Sequence, residues 1–207
     1  GLCGNFNGEV VGALDRKLAD LEASQEHTHR LVWALGMRLR SPLLKAGIQS
    51  DLEERFSSGA APNYQRAYQL AEQIESRIRE DRLDQVLVVF NRLVRADRAW
   101  PVIEQLYPVQ IDNEQRNKVL WPPPILESDP VVLQKRIQRQ ALEVNLYRMM
   151  LTSAAAEHAT RFHLLENAVQ NMERLTEELE MEVQLVRQQA ITTEMMDLIS
   201  ASGLIKS

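Results

Sequence analysis

Apolar residues recur at three- and four-residue steps in two early stretches of the chain. Val10, Val11, Ala13, Leu14, Leu18 and Leu21 predict a helix over Asn7–Leu21. Tyr64, Ala67, Leu70, Ala71, Ile74 and Ile78 form one stripe of a second helix over Tyr64–Glu80. Elsewhere the apolar positions run together. Arg30–Gly36 ("RLVWALG") ends on a glycine and predicts a buried strand. Leu83–Phe90 ("LDQVLVVF") is the most strand-like segment, and Val102–Tyr107, set between two prolines, predicts a short strand. Gln49–Phe56 predicts a further strand despite its charges, and Ser57–Asn63, with Gly59 and Pro62, a loop. Strands alternating with helices predict a parallel sheet with helices packed on it.

The pattern then changes. Trp121–Pro124 ("WPPP") cannot continue a helix, because proline lacks the N–H and fixes φ. "SDP" at Ser128–Pro130 has the form of a helix start, a capping side chain followed by proline in the first turn. From Val131 to Ser202 there is neither glycine nor proline. One helix over that stretch would be about 108 Å long at ~1.5 Å per residue. Thr152–Ser153, both mediocre helix formers, is the place where it would break. Leu165, Ala168, Met172, Leu175 and Leu179 step by three and four, the heptad period of a coiled-coil seam. Val183, Val186 and Ala190 follow after an extra step of four, a stutter. Glu173, Arg174, Glu177, Glu178 and Glu180 make a solvated opposite face. A seam of this kind needs a partner, either a second chain or a segment outside these residues.

Charge sharpens that division. The 207 residues carry a formal net charge of −5, which argues against nucleic acid, since that needs a basic face. Leu151–Ser207 holds nine acidic residues against four basic ones, so it accounts for the whole net charge. A single cysteine, Cys3, excludes an internal disulfide and any cysteine-cluster metal site. No run of about 18 apolar residues is long enough to span a bilayer. Aromatics are only 5%, a shortage that suits long helices packed along a seam.

Candidate chemistry is sparse. Gly1–Gly4 lacks both the Lys-Ser/Thr of a P-loop and the G-x-G-x-x-G spacing, so it reads as a tight turn with Cys3 as a small buried filler. His158 and His163, five apart, fall on different helix faces and make a poor metal pair. His27 and His29 sit in a polar turn. No Ser/His/Asp or Cys/His arrangement can be assembled, and no cofactor is expected.

Two stretches carry a resemblance. Gly1–Gly4 with Asn7 ("GLCGNFN") resembles the turn after the first strand in gamma subunits of rotary F-type ATP synthases. Arg187, Gln188, Ile191, Thr192, Glu194 and Ile199 in "RQQAITTEMMDLIS" resemble the C-terminal signature of the same family. Glu157, Arg161 and Asn171 match in spacing, and the order of elements agrees throughout, including "LDQVLVVFN". Asn5 stands where the family has a small residue, and Val183-Gln184 where it has Tyr-Asn. These departures fit a divergent branch, the alternative sodium- or proton-linked bacterial type.

The resemblance implies an α/β, Rossmann-like sheet domain with helices over residues 1–125, its first strand missing. A long C-terminal coiled-coil helix region over 126–207 would be half of an antiparallel coiled coil. The family's N-terminal helix and first strand precede the glycine turn, so the chain is expected to lack several dozen residues, among them the seam's partner helix. The implied function is a non-catalytic central rotor shaft of a complex at the cytoplasmic face of the bacterial inner membrane. Implied partners are the alpha and beta subunits, the epsilon subunit and the membrane c-ring, with membrane association only through the complex. Arg161, Arg187, Gln188 and Thr192 are the implied contacts to the beta subunits, with Arg161 and Gln188 hydrogen-bonding a beta-subunit loop. A reading of another class is a small-molecule or nucleotide-binding α/β domain with a coiled-coil dimerisation helix.

Overall fold

The computed structural model describes residues 3–23, 30–54, 61–95, 98–109, 125 and 127–202. In chain order they form α1 (Phe6–Ala23), β1 (Trp33–Leu35), a 3-10 turn (Met37–Leu39), α2 (Arg40–Lys45), β2 (Leu52–Glu54), α3 (Tyr64–Glu80), β3 (Val86–Arg95), β4 (Arg98–Tyr107) and α4 (Pro130–Ala201). The chain divides into two compact units, one running to Arg161 and the other from Phe162 onward.

The first unit is α/β. β1 and β2 pair in parallel, as the alternation of helices and strands predicts. β3 and β4 do not: they form an antiparallel hairpin, with Phe90 opposite Val102 and Asn91 opposite Pro101. The connection is too short for a parallel pair. Only two residues separate Arg95 from Arg98, and a parallel pair needs a crossover of a dozen or more.

Helices cover both faces of these strands, and the period-two alternation decides which residue meets which helix. On β1, Ala34 packs with Val11 of α1 and Leu43 of α2, whereas Trp33 and Leu35 lie against the opposite core. That second core holds Leu70, Ala71 and Ile74 of α3, Phe90 of β3, Leu106 of β4, and Leu142, Leu146 and Met149 of α4. Side chains of this kind stabilise by roughly 1.5–3 kcal/mol each on full burial. α1 is tied to β3 by Asn91, whose Nδ2 donates to the Phe6 carbonyl at 2.8 Å from a fully buried position.

Local signals set the helix ends. Asn63 caps α3 by accepting from the Gln65 N–H at 2.9 Å. The α4 start is the expected one: Asp129 Oδ1 accepts from the N–H groups of Val131 and Val132 at 2.7 and 3.3 Å, and Pro130 fills the first helical position. α2, which the apolar pattern does not predict, ends at Lys45, with Ala46 as its C-cap and Gly47 at φ 71. Ile48 N–H then bonds back to Leu43 O at 3.0 Å, and both side chains lie in one core cluster. α4 runs through Thr152–Ser153 without a break; the Thr152 hydroxyl bonds to Arg148 O at 2.7 Å within the helix.

Candidate partner-binding site

The glycine turn and the long helix meet in the first unit. Cys3–Asn5 form the turn, with Gly4 in the left-handed region at φ 56, and α1 starts at Phe6. Cys3 is the buried filler expected, packed with Phe6 and Ala156. Its Sγ lies 3.9 Å from Glu157 Oε1. The same carboxylate oxygen accepts from Arg161 Nη2 at 2.5 Å, while Arg161 Nη1 lies 3.2 Å from His158 Nδ1. Arg161 and Glu157 side chains are each 23% exposed, so the pair is half-buried and half-presented. Two of the guanidinium's N–H groups are engaged along its own helix. A guanidinium has five, so it keeps donors for an outside acceptor while its plane is held by Glu157. Sequence spacing finds the Glu157–Arg161 pair at i, i+4; nothing in the sequence announces that Cys3 sits beside it.

Arg187, Gln188 and Thr192 belong to the second unit and are exposed. Thr192 Oγ1 donates to the Gln188 carbonyl at 2.8 Å, which places the two residues one turn apart on one strip of helix. Arg187 makes no ion pair among the described residues. The seam residues Leu165, Ala168, Met172, Leu175, Leu179, Val183, Val186 and Ala190 are all exposed. Glu178 on the acidic face accepts from Arg174 at 2.5 Å. His163 lies 3.5 Å from Glu166 and edge-on to Phe162. His27 and His29 lie outside the described residues. Among the described residues no group of three or more His, Cys, Asp or Glu is placed to hold a metal ion, and no helix is long and apolar enough to cross a membrane.

A feature that sequence reading misses lies between α3 and α4. Glu143 is buried, with Oε2 accepting from the Tyr64 hydroxyl at 3.1 Å and Oε1 from Arg139 Nε at 3.0 Å. Arg139 Nη2 also donates to the Tyr68 hydroxyl at 2.9 Å, and the guanidinium lies 5.1 Å from that ring's centroid. The hydrogen bond to the Glu143 carboxylate holds the Tyr64 phenol protonated above its usual range, and raises Arg139 likewise. This network clamps the start of the long helix onto α3 (a positioning device, remote from the implied contacts).

Comparison with known proteins places this architecture. A family model described as ATP synthase matches residues 1–203. ATP synthase gamma chains match over the full chain: that of Nautilia profundicola is 24% identical over 206 residues and that of Geotalea daltonii 28% over 207, with 69% and 70% of those proteins covered. The chain belongs to the ATP synthase gamma family. Solved structures agree in fold. The Euglena gracilis mitochondrial ATP synthase (OSCP/F1/c-ring, rotational state 3) contains a chain that matches with a TM-score of 0.62 at 16% identity, over 99% of this chain and 69% of that one. The Tetrahymena thermophila mitochondrial ATP synthase central stalk and c-ring gives 0.55 at 19% identity, over 82% and 71%. The family match decides between the two functional readings in favour of the rotary one, and membership makes the chain a subunit of a membrane-associated complex.

Proposed function

We propose that the chain is the non-catalytic central rotor shaft of an F-type ATP synthase, and that ATP chemistry takes place on the alpha and beta subunits around it. The observation that carries this is the match to the gamma family over residues 1–203, joined to a 72-residue helix whose heptad seam is uncovered along the second unit. In this reading the α/β unit belongs to the membrane-facing end, against the epsilon subunit and the c-ring. The far end of α4 enters the sleeve of alpha and beta subunits. The complex sits at the cytoplasmic face of the bacterial inner membrane. Residues 1–125 act as the sheet domain and 126–207 as half of an antiparallel coiled coil.

An asymmetric shaft inside a pseudo-threefold ring touches each beta subunit differently. A contact that differs between conformations shifts their populations, so rotation and nucleotide affinity are linked. Arg161 in the first unit and Gln188 in the second each hydrogen-bond the beta subunits, Gln188 with Arg187 and Thr192 beside it. The pairing of Arg161 with Glu157 supports this role, because it fixes the guanidinium plane before any partner arrives. The test is copurification: the complete subunit, tagged and expressed in its own cell, should bring alpha and beta subunits with it. A subunit that purifies without them overturns the shaft.

A further inference from the structure

In the first unit α4 is held along an apolar line with a polar link on either side. The line is Leu142, Leu146 and Met149, packed with Leu70, Ala71 and Ile74 of α3, Phe90 of β3 and Leu106 of β4. At roughly 100° of turn per residue, Glu143 lies about 100° to one side of Leu142 and Arg148 about 120° to the other. On the first side Arg139, Glu143 and Tyr147 make one row at steps of four, and all three meet α3. Glu143 accepts from the Tyr64 hydroxyl at 3.1 Å, Arg139 donates to the Tyr68 hydroxyl at 2.9 Å, and the Tyr147 ring stands edge-on to Tyr64 with centroids 5.3 Å apart. On the other side Arg148 Nη2 donates to Glu104 Oε2 of β4 at 2.6 Å, and Arg92 of β3 braces the same carboxylate. Apolar burial has no direction, so the line alone gives α4 little angular preference. Hydrogen bonds weaken steeply when misaligned, and those to charged groups are the strong ones. A roll of α4 in either sense strains the link on one side or the other.

We infer that Glu143 and Arg148 lock α4 against rolling within the α/β unit, so that torque applied to that unit turns the long helix instead of slipping around it. The inference rests on the rotor-shaft reading above. In that reading torque enters at the α/β unit and leaves through the far end of α4, so it crosses the contacts that α4 makes with α3, β3 and β4. The apolar line keeps the helix from lifting away; the two links supply the angular hold that the line lacks. Because they stand on opposite sides, the lock serves both directions of rotation. Glu143 and Arg148 are positioning residues, acting on the catalytic head only through the helix that carries them.

The experiment uses the complete subunit assembled with alpha and beta subunits, the head being fixed to a surface. A bead is attached to the α/β unit through Lys45→Cys, an exposed position on α2, the native Cys3 being buried. Copurification of alpha and beta subunits with the wild-type chain is scored first; its failure removes the shaft reading and this inference together. With the complex assembled, the angular spread of the bead during pauses in rotation reads how stiffly α4 is held. Glu143→Met/Arg148→Met keeps apolar stems and removes both links, and it should widen that spread beyond the wild-type value. Val11→Ala, in the cluster of α1, α2 and β1 away from α4, also lowers stability by opening a cavity, but it should leave the spread unchanged. A wild-type spread in the double variant, or an equal widening by Val11→Ala, overturns the lock and leaves the shaft reading standing. If the methionine pair does not assemble, the milder Glu143→Gln/Arg148→Gln replaces it and is decided by the same outcomes.

Discussion

The same helix has two environments. In the first unit, Leu142, Leu146, Met149 and Ala156 of α4 are buried, at steps of four, three and seven. In the second, Leu165, Ala168, Met172, Leu175 and Leu179 repeat the same kind of spacing and are exposed throughout. Both stretches lie within one helix free of internal glycine and proline. The difference therefore lies in what covers each face. α3, β3 and β4 cover Leu142, Leu146 and Met149, and Cys3 and Phe6 cover Ala156, while nothing among the described residues of the second unit covers the seam. Most helical stability in water comes from packing an apolar face, so one pattern yields a core element in one unit and a binding surface in the other.

The sharpest way to break this comparison is a matched pair of truncations. Leu146→Ala, at a residue 1% exposed, should lower unfolding free energy by about 2–5 kcal/mol. Leu175→Ala, at a residue 49% exposed, should change it by no more than about 0.5 kcal/mol in the chain alone. Urea melts read both. Native-state hydrogen exchange adds the local view: amides around Leu142–Ala156 should be slow, and those from about Leu165 onward fast in a monomer. Equal losses for the two truncations, or slow exchange along the seam in a demonstrated monomer, would remove the distinction.

The next effect concerns what holds α4 to α3. Glu143→Ala removes the acceptor shared by Tyr64 and Arg139 and should destabilise by about 1–3 kcal/mol. Arg139 keeps Glu72 and Glu75 within 4.0 Å, at 3.8 and 3.6 Å, which favours the lower half of that range. Glu143→Gln keeps the shape and loses only the charge, so it should destabilise less. The pH dependence has a definite sign. Tyr64 is held protonated in the folded state, so its contribution is fully present below the ordinary tyrosine range and is lost as pH rises through its raised value. Ultraviolet titration should show the Tyr64 tyrosinate forming above the ordinary range, moved back toward the ordinary value by Glu143→Gln. Unchanged titration in that variant would detach Tyr64 from the clamp.

How much of this was legible follows from where the signals are local. The bounds of α3 and the start of α4 are written in a stripe and in a cap: Tyr64–Ile78 in one case, Asp129-Pro130 in the other. α2 left its trace at its end, since Gly47 followed by Ile48 is a C-terminal capping signal, but six residues give too little periodicity to notice it. The hairpin does not show in the apolar pattern, because Asn91, Arg92, Arg95 and Arg98 interrupt it with polar residues. Shortening both strands opened an apparent gap where only two residues intervene. The partner-binding residues were reachable only through the family resemblance. The Cys3–Glu157 contact spans 154 positions, and the buried amide of Asn91 meets the backbone of α1, so no local pattern encodes either.

A smaller effect separates the two units functionally. Arg161→Ala in the complete subunit should lower stability by no more than about 1 kcal/mol, because its pair with Glu157 is half-exposed. Gln188→Ala, exposed, should lower it by less. In the assembled enzyme each should impair coupling of ATP hydrolysis to ion pumping, Arg161→Ala more so, since a charge-assisted bond to the beta subunit is worth about 1.5–3 kcal/mol. Arg161→Lys should fail to restore it, because lysine cannot bond Glu157 and an outside acceptor through one rigid plane. ATPase rate and pumping in membranes, measured beside thermal melts, decide the matter. A sharp fall in melting temperature, or wild-type coupling in both variants, would return these residues to ordinary helix polarity.

The smallest effect is expected at Thr192. Its hydroxyl is already bonded to the Gln188 carbonyl at 2.8 Å, and back-bonding of this kind slightly destabilises a helix. Thr192→Val, which keeps the β-branch and removes the hydroxyl, should therefore leave the melting of the subunit unchanged within about 0.5 kcal/mol. Any loss should show only in the assembled complex, and there it should be smaller than that of Gln188→Ala, because one neutral hydrogen bond contributes about 0.5–1.5 kcal/mol. Thr192→Ser keeps the hydroxyl and should couple like wild type. If valine and serine behave alike in coupling assays, the hydroxyl has no part in the contact. If valine instead lowers melting in the isolated subunit, the Thr192–Gln188 bond belongs to the helix and not to the site.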